Sequence, residues 1–185
     1  MSAPMTITTI IEGCRRGDRR FQRELVDRFS PRLHAIALRY MPDAAHAQDV
    51  LQDSLIKILT RIEQFKGAGS FEGWMRQVVV STALSRLDRK WMRREVCKET
   101  TYLDASVPAR ALDNLSTEDI MACVRELPEG YRQVFNLYAV EGYRHREVAQ
   151  MMGITEATSR THYARARALL RNILTSPKFG LRHAE

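Results

Sequence analysis

Between Tyr143 and Arg171 the chain gathers the side chains best suited to gripping a polyanion: Thr158, Ser159, Arg160, His162, Arg165 and Arg167 follow one another within a single predicted helix. Guanidinium groups serve phosphates and guanine edges, and hydroxyls serve either. Two helices joined by Gly153-Ile154-Thr155 form a helix-turn-helix pattern. Gly153 takes the left-handed position that ends the first helix, and the Thr155 hydroxyl caps the second. Such a helix fits the major groove with its positive end toward the DNA. The plainer reading of Arg165, Arg167 and Arg171 is a solvated face on a small helical scaffold.

Three further groups stand upstream. Arg86, Arg89, Lys90, Arg93, Arg94 and Lys98 form a basic stretch with Trp91 among them; phosphate neutralisation is its natural use, a solvated helix end its plain one. Phe65 to Trp74 is a two-glycine loop between aromatic residues, of the kind that receives an unstacked base. Phe71, Trp74, Met75 and Val78 share one helical face, so Trp74 reads as core. Asp49, Gln52 and Asp53 fall at steps of three and four, which makes one exposed acidic face for a protein partner. With Asp43 and His46 nearby, a metal or acid/base site is the competing reading. No His-Glu-x-x-His, phosphate loop or Gly-x-Ser-x-Gly accompanies it.

Composition narrows the classes. Of 185 residues, 29 are Lys or Arg and 22 are Asp or Glu, a net charge of +7 that favours a polyanionic partner. Nine glycines and six prolines leave room for long helices. No apolar run approaches the ~18 residues of a spanning helix, so no membrane insertion is expected. Met1 to Ile11 lacks the features of a secretory leader. Cys14, Cys97 and Cys123 are odd in number and widely spaced, which fits reduced thiols in the cytoplasm better than a disulfide or zinc framework.

The elements that must position these groups are helices. Asp18 caps a helix carrying Phe21, Leu25, Phe29, Leu33, Ile36, Ala37 and Tyr40, with a kink or break predicted at Pro31. A second helix carries Val50, Leu51, Leu55, Ile58, Leu59 and Ile62. Ser70 caps a third, with Phe71, Trp74, Met75, Val78, Val79, Thr82 and Leu87. Periodicity dissolves from Glu95 to Leu115 and resumes at Ser116. The expected fold is all-α: two small helical domains, residues 1–95 and 116–175, joined by a flexible linker at 96–115 and followed by a tail at 176–185, the second domain a helix-turn-helix.

The order of the motifs is more specific than any one of them. Asp49-x-x-Gln52-Asp53 precedes Phe65-x-Gly67-x-Gly69-Ser70-Phe71-x-x-Trp74. After the basic stretch come Leu127-Pro128-x-x-Tyr131-Arg132-x-Val134-Phe135, then Glu141-Gly142-Tyr143-x-His145-x-Glu147-Val148-Ala149-x-x-x-Gly153-Ile154, and finally Thr158-x-Arg160 and Ala164-Arg165-Ala166-Arg167. From about Cys14 to Leu174 the chain resembles an extracytoplasmic-function sigma factor of the sigma-70 family. The resemblance implies a factor, not an enzyme, that directs core RNA polymerase to promoters and aids DNA opening. It implies no cofactor, metal or small-molecule substrate. Asp49, Gln52 and Asp53 would dock on core polymerase. Phe65, Lys66, Ser70, Ser81, Arg86, Arg89 and Lys90 would hold the −10 region. Thr155, Thr158, Ser159, Arg160, His162, Arg165 and Arg167 would read the −35 element. The implied partners are core polymerase, promoter DNA and an anti-sigma factor.

Four positions depart from the family's usual residues: Ser81 stands where Asn is common, Ser85 where Asp is frequent, Leu55 for Phe and Ala157 for Gly. The shorter Ser81 side chain puts the base preference at that position in question. Ala157 favours helix by roughly 1 kcal/mol. The alternative is a stand-alone helix-turn-helix regulator, for which the first half offers no ligand-binding or receiver pattern. A metal-dependent nuclease built on Asp43, Asp49 and Asp53 ranks below it.

Overall fold

A helix with one apolar stripe must bury that stripe against a neighbour, and four such helices make the first unit. The computed structural model describes residues 5–87 and 117–175. It places α1 at Ile7–Arg15, α2 at Arg19–Tyr40, α3 at Ala44–Thr60 and α4 at Phe71–Arg86, with a short 3-10 turn at Ile62–Gln64. Helix α2 packs on α3 and α4, these two pack on each other, and α1 lies along α2. Leu25, Tyr40, Val50, Ile58, Met75, Val79 and Val80 make the solvent-free centre.

Helix α2 begins where Asp18 Oδ1 accepts from the Arg20 amide at 2.8 Å. It then runs unbroken through Pro31. Leu25 and Phe29 before the proline, and Leu33, Ala37 and Tyr40 after it, are all buried on one stripe. Packing of both halves on the same core outweighs the hydrogen bond that Pro31 cannot make. Helix α1 has no counterpart among the elements expected from periodicity. The Thr6 hydroxyl caps it, and Ile10, Ile11 and Cys14 face inward. Gly13 lets it approach α2 closely, because a Cβ there would lie 2.1 Å from the Phe21 ring.

The second unit contains α5 (Thr117–Glu126), α6 (Glu129–Phe135), a π-helical turn at Asn136–Val140, α7 (His145–Met152) and α8 (Glu156–Thr175). Helix α8 is the axis: α5, α6 and α7 all pack against it. Cys123, Val124, Leu127, Tyr131, Ala166 and Leu170 form its core. Pro128 separates α5 from α6, as its missing donor requires. Every described element is helical, so the all-α expectation holds. The two units divide after Arg86. The proposed linker at 96–115, the tail at 176–185, and Arg89, Lys90 and Cys97 lie outside the described residues.

Gly153 ends α7 at φ +67° with its amide bonded to the Ala149 carbonyl. No atom lies within 4 Å of the space a Cβ would fill, so only backbone strain opposes substitution. Gly153→Ala is expected to cost about 1–2 kcal/mol in chemical denaturation of the second unit. Gly153→Asn should cost less, since Asn tolerates this region. Equal losses for the two variants would show that φ is not the constraint.

Candidate nucleic-acid interface

Helix α3 starts at Asp43, whose Oδ1 accepts from the His46 amide at 2.9 Å and meets the His46 ring at 2.8 Å. That amide, then the ring, holds the Asp43 carboxyl below its ordinary range. These two residues cap the helix, and among the described residues no three His, Cys, Asp or Glu side chains gather as metal ligands would. The inner face of α3 carries Ala47, Val50, Leu51, Ser54 and Ile58. Helical spacing therefore puts Asp49, Gln52, Asp53 and Ile56 together on the outer face. Ile56 is 61% exposed, a large apolar side chain beside two carboxylates. It is an addition to the sequence-derived set, and its signal is that it continues the step-of-three-and-four stripe of Asp49, Gln52 and Asp53.

Arg86, at the last turn of α4, reaches this acidic stripe. Its Nη2 and Nε donate to Asp53 Oδ2 at 2.6 and 3.1 Å, and its Nη1 donates to Asp49 Oδ2 at 3.1 Å. The Asp53 bonds, then the Asp49 bond, hold the guanidinium proton more firmly than usual. A residue expected on the DNA side is thus committed to the two carboxylates expected on the protein side.

The loop before α4 is shaped from both ends. Gly67 and Gly69 take φ +79° and +83°, and the Ser70 hydroxyl caps α4 by accepting from the Gly73 amide at 2.9 Å. Behind the loop, Arg15 of α1 donates to the Phe65 carbonyl and pairs with Glu63. The expected −10 contact through the Phe65 ring is corrected. Its ring is buried, 5.1 Å from Phe71 and 5.9 Å from Trp74, because three aromatic rings satisfy one another better than water does. Trp74 is half-buried and stacks on Phe71 at 5.5 Å, leaving part of the indole at the surface. Lys66, Ser70 and Ser81 are exposed. Trp74, Gln77 and Ser81 share a face of α4 by spacing, and exposed Gln77 is a second addition to the sequence-derived set. The Ser81 hydroxyl donates to the Val78 carbonyl at 3.1 Å.

In the second unit, the Thr155 hydroxyl caps α8 by accepting from the Thr158 amide at 3.0 Å. Arg160 is exposed and pairs with Glu156 at 2.6 Å. Arg167 is exposed, with its guanidinium 5.9 Å from the Tyr163 ring. Arg165 is half-buried and donates to the Tyr131 hydroxyl at 3.3 Å. Two expected DNA contacts are corrected. Ser159 is fully buried, its hydroxyl 3.0 Å from His145 Nδ1, and His162 is 3% exposed with its ring edge-on to Tyr131. They sit on the same inner stripe as Ala166 and Leu170 and fasten α8 to α7 and α6. The outer face instead holds Ala157, Arg160, Thr161, Ala164 and Arg167, so Thr161 joins the candidates.

Residues 25–93 match the model for sigma-70 region 2, and residues 117–170 match that for sigma-70, region 4. The chain belongs to the sigma-70 family. Its relatives include sigma factors named for the extracytoplasmic-function group. It is 24% identical to the ECF RNA polymerase sigma-E factor of Haemophilus influenzae, covering 93% of this chain and 97% of that protein. It is 28% identical to the RNA polymerase sigma-H factor of Pseudomonas aeruginosa, covering 85% and 88%. Among solved structures, the sigma factor RpoE from Bartonella quintana, determined with the anti-sigma factor NepR, shares the fold with a TM-score of 0.51 and 19% identity, over 84% of this chain and 97% of that one. The chain is therefore an RNA polymerase sigma factor whose family serves promoter-directed transcription initiation.

Burial, then the neighbouring Arg165, depresses the His162 pKa below the ordinary histidine value; burial, then Arg160, does the same for His145. A histidine with a depressed folded-state pKa holds fewer protons than the unfolded chain once the pH falls below about 6.5. Its stabilising share is complete above that pH and is lost as acid approaches the folded value. Urea unfolding of the full chain, followed through α8 amide signals, is expected to show the second unit weakening between pH 7 and pH 5. A constant midpoint across that window would remove both histidines from the balance.

Proposed function

We propose that this sigma factor works through three separate surfaces. The outer stripe of α3, Asp49, Gln52, Asp53 and Ile56, docks on core RNA polymerase. Lys66, Ser70, Trp74, Gln77 and Ser81, on the loop and the adjoining face of α4, hold the opened −10 region. Thr155, Thr158, Arg160, Thr161 and Arg167, at the start and on the outer face of α8, read the −35 element, with half-buried Arg165 at the edge of that face. The observation that carries the docking assignment is the juxtaposition of two carboxylates with an apolar side chain left 61% exposed. An apolar side chain with a polar rim can serve as the anchor of a protein interface once a partner covers it.

The chain acts without catalysis of its own, in the cytoplasm where core polymerase resides. Each surface alone is small, and tethering raises the effective concentration of the second DNA contact once the first is made. Promoter binding by the free protein is accordingly weak and by the holoenzyme strong. An anti-sigma factor is the third partner, by analogy with the Bartonella protein solved with NepR.

Reconstituted transcription with core polymerase, followed by start-site mapping, tests the whole. Discrete start sites that depend on the added protein are expected; RNA without such dependence would overturn it. Asp49→Lys with Asp53→Lys should abolish co-elution with core polymerase while leaving helicity intact, and persistence of the complex would move the docking face elsewhere. Arg160→Ala should weaken −35 duplex binding and lower the salt slope by about 0.9 for each phosphate no longer neutralised.

A further inference from the structure

The bridge between Arg86 and the two α3 carboxylates joins groups that the sequence assigns to opposite partners. We propose that Arg86 is a positioning residue of the polymerase-docking face: it pins Asp49 and Asp53 for an incoming basic surface and does not follow the DNA backbone. This rests on the docking role of α3 argued above.

The geometry is specific. All three hydrogen bonds end on Oδ2 atoms, one on Asp49 and two on Asp53. The Oδ1 atom of each carboxylate is left without a partner among the described residues. The carboxylates remain open to solvent, their side chains 58% and 41% exposed. Two carboxylates four residues apart on one helix repel each other and would otherwise sample several rotamers. A guanidinium shared between them removes the repulsion and fixes both side chains. Part of the ordering cost of docking is thus met before the partner arrives. The partner surface that fits is basic, supplying Arg or Lys to the free oxygens and an apolar seat for Ile56.

The same geometry disfavours DNA. Two carboxylates and one guanidinium leave the cluster with a net negative charge. A phosphate approaching Arg86 would meet both carboxylates, or would have to break the bridge and leave them unpaired side by side.

The test measures two affinities of the full chain. Labelled protein is titrated with bacterial core polymerase, and separately with a single-stranded oligonucleotide taken from a mapped promoter and spanning its −10 region, at several salt concentrations. Arg86→Ala is expected to weaken core binding about threefold, the scale of an exposed ion-pair network. Added to Asp49→Asn/Asp53→Asn, it should cost nothing further, because its effect passes through those carboxylates. Arg86→Lys should recover only part, since an ammonium cannot span both oxygens in the same fork. The salt slope on the oligonucleotide should be unchanged.

Unchanged or tighter core binding by Arg86→Ala overturns the proposal, as does an equal loss in the Asp49→Asn/Asp53→Asn background. A fall of about 0.7 in the oligonucleotide slope returns Arg86 to the DNA and overturns it too. If Asp49→Asn/Asp53→Asn itself leaves core affinity intact, the docking reading of α3 has failed, a result distinct from any outcome at Arg86. Circular dichroism of each variant separates these effects from unfolding.

Discussion

Each helix here has one apolar stripe to bury, and two small units must do the burying. That constraint shapes everything else. A small unit has a high ratio of surface to volume, so every helix keeps a broad face in water. In the first unit, α3 gives Val50 and Ile58 to the core and turns Asp49, Gln52, Asp53 and Ile56 outward. In the second, α8 commits Ala166 and Leu170 to the core and turns Arg160 and Thr161 outward. What the cores leave uncovered is mainly charged and polar, with the carboxylates of α3 and the guanidinium groups of α8 on different units.

Much of this is legible from residue type and spacing. Apolar steps of three and four mark α2, α3, α4 and α8. Asp18, Ser70 and Thr155 announce helix starts that the hydrogen bonds bear out, and Gly153 announces the turn of the helix-turn-helix. The position of the exposed acidic stripe on α3 follows from the same periodicity. These features are local: each depends on side chains within a few residues of one another.

What spacing does not reveal depends on distant partners. Pro31 reads as an interruption because local rules cannot weigh the two buried halves of α2. Ser159 and His162 read as DNA contacts because they are polar and flanked by arginines. Yet they lie at helical steps from Ala166 and Leu170, and that alignment is the available sign of burial. The Ser159 hydroxyl is met by His145 and the edge of the His162 ring by Tyr131, both on neighbouring helices rather than on α8 itself. The bridge from Arg86 to Asp49 and Asp53 spans more than thirty positions, beyond any motif read along the chain. Phe65 misleads for a related reason: an aromatic residue at the head of a glycine loop resembles a base platform until its neighbours Phe71 and Trp74 are in place.

The tie between Arg15 and the Phe65 carbonyl gives the opening helix a share in the loop's shape. A molecule that seized only the first helix would therefore slacken the loop from its rear. Silencing by distortion and silencing by blockade would then be two different routes, distinguishable by whether excess DNA relieves the effect.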